Sequence, residues 1–162
     1  MKTKSLNKVL IALDYDPTSK EVAEQGFLLA KTMNAQIVLL HVIAEESYYS
    51  ALEYSPIVGF LGFDNEDVMK LTKKGGLTEA TTHFLEKMKY FLGDKNIEIL
   101  VKEGKFAKEI LDTARKTNAD IIVMGSHSRG WMEEILLGSV TEKVLRSTQI
   151  PLYIVPIKKI EK

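Results

Sequence analysis

The feature that most constrains this chain is a rhythm: short apolar runs alternate with longer amphipathic stretches. The runs are Val9-Leu10-Ile11-Ala12-Leu13, Ile37-Val38-Leu39-Leu40-His41-Val42-Ile43, Ile97-Glu98-Ile99-Leu100-Val101, Ile121-Ile122-Val123-Met124 and Pro151-Leu152-Tyr153-Ile154-Val155-Pro156. The first, second and fourth offer no polar face to water, which is what a parallel strand covered on both sides requires. The third alternates in part, as a strand nearer an edge does. Prolines at both ends of the fifth suit an edge position, because proline cannot donate to a ladder. Helical crossovers between parallel strands are right-handed and place helices on both faces. The expected fold is α/β: one domain over residues 1–162 with a doubly wound, five-stranded parallel sheet, in the order β-α-β-(long loop)-α-β-α-β-α-β.

Helix signals fill the gaps. Asp16 is placed to cap the first helix and Pro17 fits its first position, where a missing N–H costs nothing. Val22, Gly26, Leu29, Ala30 and Met33 share one side of it, and Asn34 stops it. Leu77, Ala80, Phe84, Leu85 and Met88 mark a second helix that ends at Gly93-Asp94, and Ala107, Ile110, Leu111 and Ala114 mark a third. Ser139-Val140-Thr141-Glu142 has the pattern of a capping box at the head of the fourth. Residues 44–76 form a long aromatic-rich loop (Tyr48, Tyr49, Tyr54, Phe60, Phe63). Loops of this length are usually functional or disordered.

Composition narrows the chemistry. With 45% hydrophobic and 27% charged residues, the chain can bury a core. It has no cysteine, so disulfides, zinc thiolates and thiol catalysis are excluded. The 22 basic and 22 acidic residues cancel, so no global charge draws nucleic acid or a membrane surface. No secretory leader or run of eighteen apolar residues is present, which makes a cytoplasmic protein the expectation.

In open α/β sheets, ligands bind beyond the carboxyl ends of strands where the winding reverses. Asp14-Tyr15-Asp16 follows strand 1 without a glycine, so neither a dinucleotide fingerprint nor a Walker A loop lies there. Strand 4 ends in Met124-Gly125-Ser126-His127-Ser128-Arg129-Gly130, and Gly138-Ser139 stands thirteen residues beyond Gly125. Gly125 permits a tight exit, and Gly138 lets main chain approach a ligand. Ser139 and Val140 then present free amides at the positive end of a helix, an anion site that needs no lysine. Both glycines could equally be simple loop formers.

These residues resemble the universal stress protein family. The markers are strand 1 ending in Asp14, Leu39-Leu40-His41-Val42, the stretch Ala119 to His127, Ile135 to Leu145, and the last strand. The resemblance implies strand order 3-2-1-4-5 and a homodimer formed through Pro151–Val155. It is similar to the ATP-binding branch, whose pattern is G-x(2)-G-x(9)-G-[ST]. Aligned on Gly138-Ser139, the first glycine is Gly125, but Ser128 replaces the second. If that position needs positive φ, serine costs on the order of 1 kcal/mol.

By position, the resemblance implies ATP with Mg²⁺. Ala12 and Leu13 would line the base pocket, and Asp14 would meet the ribose or the metal-bound phosphates. Val42 would offer backbone hydrogen bonds to adenine. Met124 and Gly125 would lie against the ribose, while Gly138, Ser139 and Val140 would hold phosphate. Capping the first helix is the structural alternative for Asp14.

His41, His83 and His127 do not have metal-ligand spacing, and His41 reads as a satisfied core histidine. Arg129 either pairs with phosphate or is a solvated loop charge. Trp131 either stacks on a base or packs on Ile135. Lys70, Lys73 and Lys74 read as a solvated surface. The function expected is an ATP-binding regulatory or sensor module of a cytoplasmic stress response. The alternatives are a nucleotide-independent dimeric interaction protein, or a slow ATP hydrolase or autophosphorylating protein.

Overall fold

The computed structural model describes residues 4–15, 17–44, 75–126 and 137–157. Along the chain run β1 (Lys8–Ala12), α1 (Ser19–Thr32), β2 (Gln36–Ile43), α2 (Gly76–Leu92), β3 (Glu98–Glu103), α3 (Phe106–Lys116), β4 (Ile121–Gly125), α4 (Ser139–Ser147) and β5 (Leu152–Val155). The sheet has five strands in the order β3-β2-β1-β4-β5, and every pairing is parallel. The partly alternating β3 and the proline-flanked β5 are its edges.

Alternate residues of the central strands enter different cores. Val9, Ile11, Leu39 and Val123 pack with Ala23 and Ala30 of α1 and Phe84 and Leu85 of α2. Leu10, Leu40, Ile122 and Met124 pack with Ile110 and Ala114 of α3 and Val144 of α4. Each such large side chain contributes about 1.5–3 kcal/mol on burial, so the apolar runs place themselves between two helical layers. On one side the approach is close. A Cβ on Gly26 of α1 would lie 2.7 Å from Ile11 Cδ1 and 2.9 Å from its Cγ1. At the opposite end of the sheet Asp120 ties β4 to β1. Its Oδ2 accepts the amides of Asn7 and Lys8 at 2.8 and 3.1 Å, and Lys4 pairs with Oδ1 at 2.7 Å. Lys4 first, then these amides, hold its carboxyl below the usual range.

Helix ends depart from expectation at two heads. The N-cap of α1 is Thr18, so Pro17 precedes the helix and does not occupy its first position. A capping box at α4 does not form: Gly138 is the N-cap, Ser139 is already helical, and no side chain caps the end. Glu142 lies one residue too far along to reach back and takes Arg146 instead, at 3.0 and 2.8 Å. The tails behave as read. Asn34, at φ +53°, follows α1, and Gly93, at φ +72°, closes α2. Such left-handed residues satisfy the last carbonyls of a helix. The expectations for Asp16, Tyr48, Tyr49, Tyr54, Phe60, Phe63, Lys70, Lys73, Lys74, His127, Ser128, Arg129, Gly130, Trp131 and Ile135 lie outside the described residues.

Candidate functional site

Strands β1 and β4 are neighbours, yet the chain leaves β1 toward β2 and builds β5 on the other side of β4. Their carboxyl ends are therefore the point where the winding reverses, the place such sheets open toward ligands. Ala12, Leu13 and Asp14 close β1 there, and Met124 and Gly125 close β4. Val42 lies beyond Leu40, the partner of Ala12, near the end of the adjacent β2.

Ser126, to which the sequence assigned no role, joins three elements at this end. Its amide donates to the Val155 carbonyl at 2.9 Å, and its hydroxyl accepts the Ile157 amide at 2.9 Å. Its carbonyl accepts the Gly138 amide at 2.8 Å, which brings the head of α4 to the end of β4. A second tie comes from Thr141, whose Oγ1 donates to the Gly125 carbonyl at 2.9 Å. The available signal for both residues was a small hydroxyl side chain set among buried positions; Ser126 and Thr141 are 1% and 4% exposed.

Neither site glycine is there for an unusual torsion. Gly138 has φ −61° and ψ 152°, and Gly125 ends the strand without positive φ. The expected tight exit at Gly125 is therefore ordinary extended strand. Glu142 is the first residue of α4 whose amide reaches a carbonyl at the head of the helix, that of Gly138. The amides of Ser139 and Val140 precede it and have no acceptor within the helix. Ser139 is exposed and Val140 half-buried at this end. This is the partial positive charge of a helix start, able to hold an anion through main chain alone.

The other face of the opening is sealed. His41 is buried against Tyr15, with ring centroids 3.9 Å apart and tilted by 47°. Its Nδ1 lies 2.7 Å from the Leu13 carbonyl. A carbonyl can only accept, so Nδ1 carries the proton and Nε2 bears the lone pair. Among the described residues Nε2 has no hydrogen-bond partner, so His41 is only half satisfied, not the fully satisfied core histidine expected. Burial pushes its pKa down to about 4, against a smaller upward pull from the Leu13 bond. Tyr15 continues the seal: its hydroxyl hydrogen-bonds Thr81 of α2, and its ring meets Phe84 edge-on at 5.7 Å. Among the described residues no group of three His, Asp or Glu could hold a metal ion.

The model of the universal stress protein family matches residues 5–156. The chain belongs to the universal stress protein family. A universal stress protein of Methanocaldococcus jannaschii, MJ0577, is 33% identical over 156 residues, covering 93% of this chain and 95% of the relative. Universal stress protein A of Escherichia coli K12 is 27% identical over 93% of this chain and 94% of its own length. The solved MJ0577 structure superposes with TM-score 0.68 at 30% identity, covering 97% of this chain and all of that one. A universal stress protein solved in complex with cAMP shares the fold at TM-score 0.60 and 18% identity, over 94% and 98% of the two chains. These universal stress proteins match along almost their whole length, so the switch-point opening of this chain lies within the shared fold.

Proposed function

We propose that this universal stress protein binds ATP with Mg²⁺ at the β1–β4 opening and works as a regulatory or sensor module in the cytoplasm. The observation that carries this reading is the tie between Gly138 and Ser126, which sets the uncapped head of α4 beside the exits of β1 and β4. Phosphate chemistry fits the residues present. Ser139 and Val140 offer amides and a hydroxyl, Gly125 and Gly138 leave room, and the donors need no cation. Ala12, Leu13 and Met124 supply apolar lining for a base and sugar. Val42 supplies main-chain polar groups for adenine, and Asp14, just past β1, supplies a carboxylate for a ribose or a phosphate-bound Mg²⁺. Ser128 and Arg129 complete the set that the family resemblance implies. The cAMP complex of a relative supports an adenine nucleotide as the ligand class. A homodimer through the outer side of β5 fits the same reading, since among the described residues β5 pairs with β4 on its inner side and ends the sheet on its outer side. Slow ATP hydrolysis or autophosphorylation is the weaker alternative, because among the described residues the buried histidine at this end, His41, packs against Tyr15 on the α1–α2 side. A nucleotide-independent interaction protein is the other alternative.

Calorimetry with Mg-ATP tests the proposal, with Asp14→Ala as the comparison. Saturable binding that weakens about tenfold in the variant, with an unchanged circular dichroism spectrum, is the expected result. Absence of binding to the parent chain would leave the interaction protein as the better account.

A further inference from the structure

The β1–β2 ladder stops at the Leu13 carbonyl. Even-numbered residues of β2 turn their main chain toward β1: Gln36 donates to Asn7 at 2.8 Å, and Leu40 accepts from Leu13 at 2.8 Å. Parallel ladders repeat evenly, so the next rung would run from the Val42 amide to the Leu13 carbonyl. Among the described residues no such main-chain bond is made. The carbonyl takes the His41 imidazole instead, through a bond of 2.7 Å buried in the core. Tyr15 holds the ring in place and is itself tied to Thr81, so the diversion is braced by α2.

We propose that His41 is a positioning residue of the ligand site: by drawing the Leu13 carbonyl into the α1–α2 core it halts the ladder one rung early and leaves the Val42 main chain available to an adenine ring. This rests on the nucleotide reading above. A role in core packing alone does not account for an imidazole in this apolar strand, where a buried acceptor without a partner is a net cost. Leucine would fill similar space without that cost. Asparagine keeps a donor close to where Nδ1 stands, whereas leucine has none, and the two variants therefore separate hydrogen bonding from volume.

The test has one arm without ligand and one with it. In the nucleotide-free protein, NMR coupling across hydrogen bonds is measured between the Val42 amide nitrogen and the Leu13 carbonyl carbon. The coupling should be absent in the parent chain and in His41→Asn, and present in His41→Leu, where the freed carbonyl completes the rung. A coupling in the parent chain overturns the proposal, and this measurement decides even if His41→Leu does not fold. In calorimetry with Mg-ATP, His41→Leu should bind about tenfold more weakly and His41→Asn within about threefold of the parent. Equal affinity for all three also overturns it. If the couplings behave as expected but no form binds ATP, the ladder diversion stands and the nucleotide reading alone falls.

Discussion

The amide of Gly138 donates to the carbonyl of Ser126 at 2.8 Å, so the first turn of α4 is moored to the last residue of the β4 exit. The bond uses only main chain, and a side chain at position 138 would leave it intact. A substitution there changes what stands beside the head of α4, not the fastening.

Gly138→Asp should therefore separate stability from binding. Gly138 sits at the N-cap in extended conformation, where aspartate is preferred over glycine by a few tenths of a kcal/mol. Urea unfolding should show equal or slightly higher stability. The added carboxylate would stand at the proposed anion site, so calorimetry should show ATP binding weakened by at least about tenfold, or ~1.4 kcal/mol. Unimpaired binding would remove the head of α4 from the site.

Acid should destabilise the protein within a definite window. The native His41 imidazole resists protonation down to about 4, while the unfolded one protonates near 6.5. Stability from the neutral ring is complete above pH 6.5 and lost as pH falls toward 4, by about 3 kcal/mol. Asp94 and Asp120, held low chiefly by hydrogen bonds from Lys31 and Lys4, respond only at lower pH. Unfolding free energies from pH 7 to 4 should fall in the parent chain and stay nearly flat over that range in His41→Leu. Parallel slopes would contradict the assignment.

Gly26→Ala should destabilise despite alanine's better helix propensity. The new methyl group would press on Ile11, which is fully buried in β1. Overpacking costs about 1–3 kcal/mol, against about 1 kcal/mol gained in the helix. A lower unfolding midpoint in urea is the expected outcome, and a higher one would show that α1 can ride outward without cost.

Asp120→Asn should cost about 1–2 kcal/mol, because the amides of Asn7 and Lys8 lose a charged acceptor and Lys4 loses its partner. ATP binding should not change, since Asp120 stands at the end of the sheet opposite the opening. A change in affinity would reveal coupling along β1.

What was legible in the sequence follows from how many residues share a signal. Strands and the helix faces were readable because each is written several times over, as in Val9 to Leu13 or Ala107 to Ala114, whereas the strand order followed from the family resemblance. Helix heads were not, because each depends on one residue. Ser139 and Asp16 both carry capping chemistry, yet the caps fall at Gly138 and Thr18. A helix starting one position later, with Ser139 as its cap, would have shown the same pattern. The environment of His41 was hidden for a different reason. Its acceptor is a carbonyl that ordinary ladder pairing would have consumed, and no spacing rule marks a ladder that stops early. Ser126 and Thr141 were likewise silent, because a hydroxyl used to splice elements looks like any other small polar residue.

The mooring of α4 has a consequence for how such a scaffold can diversify. Both ends of the stretch between Ser126 and Gly138 are pinned, one by β5 and the other by β4. Substitutions, or even added residues, between those pins leave Ser126 and Gly138 held where they are. Sequence can thus drift over one short span without renegotiating the two cores that hold the framework up.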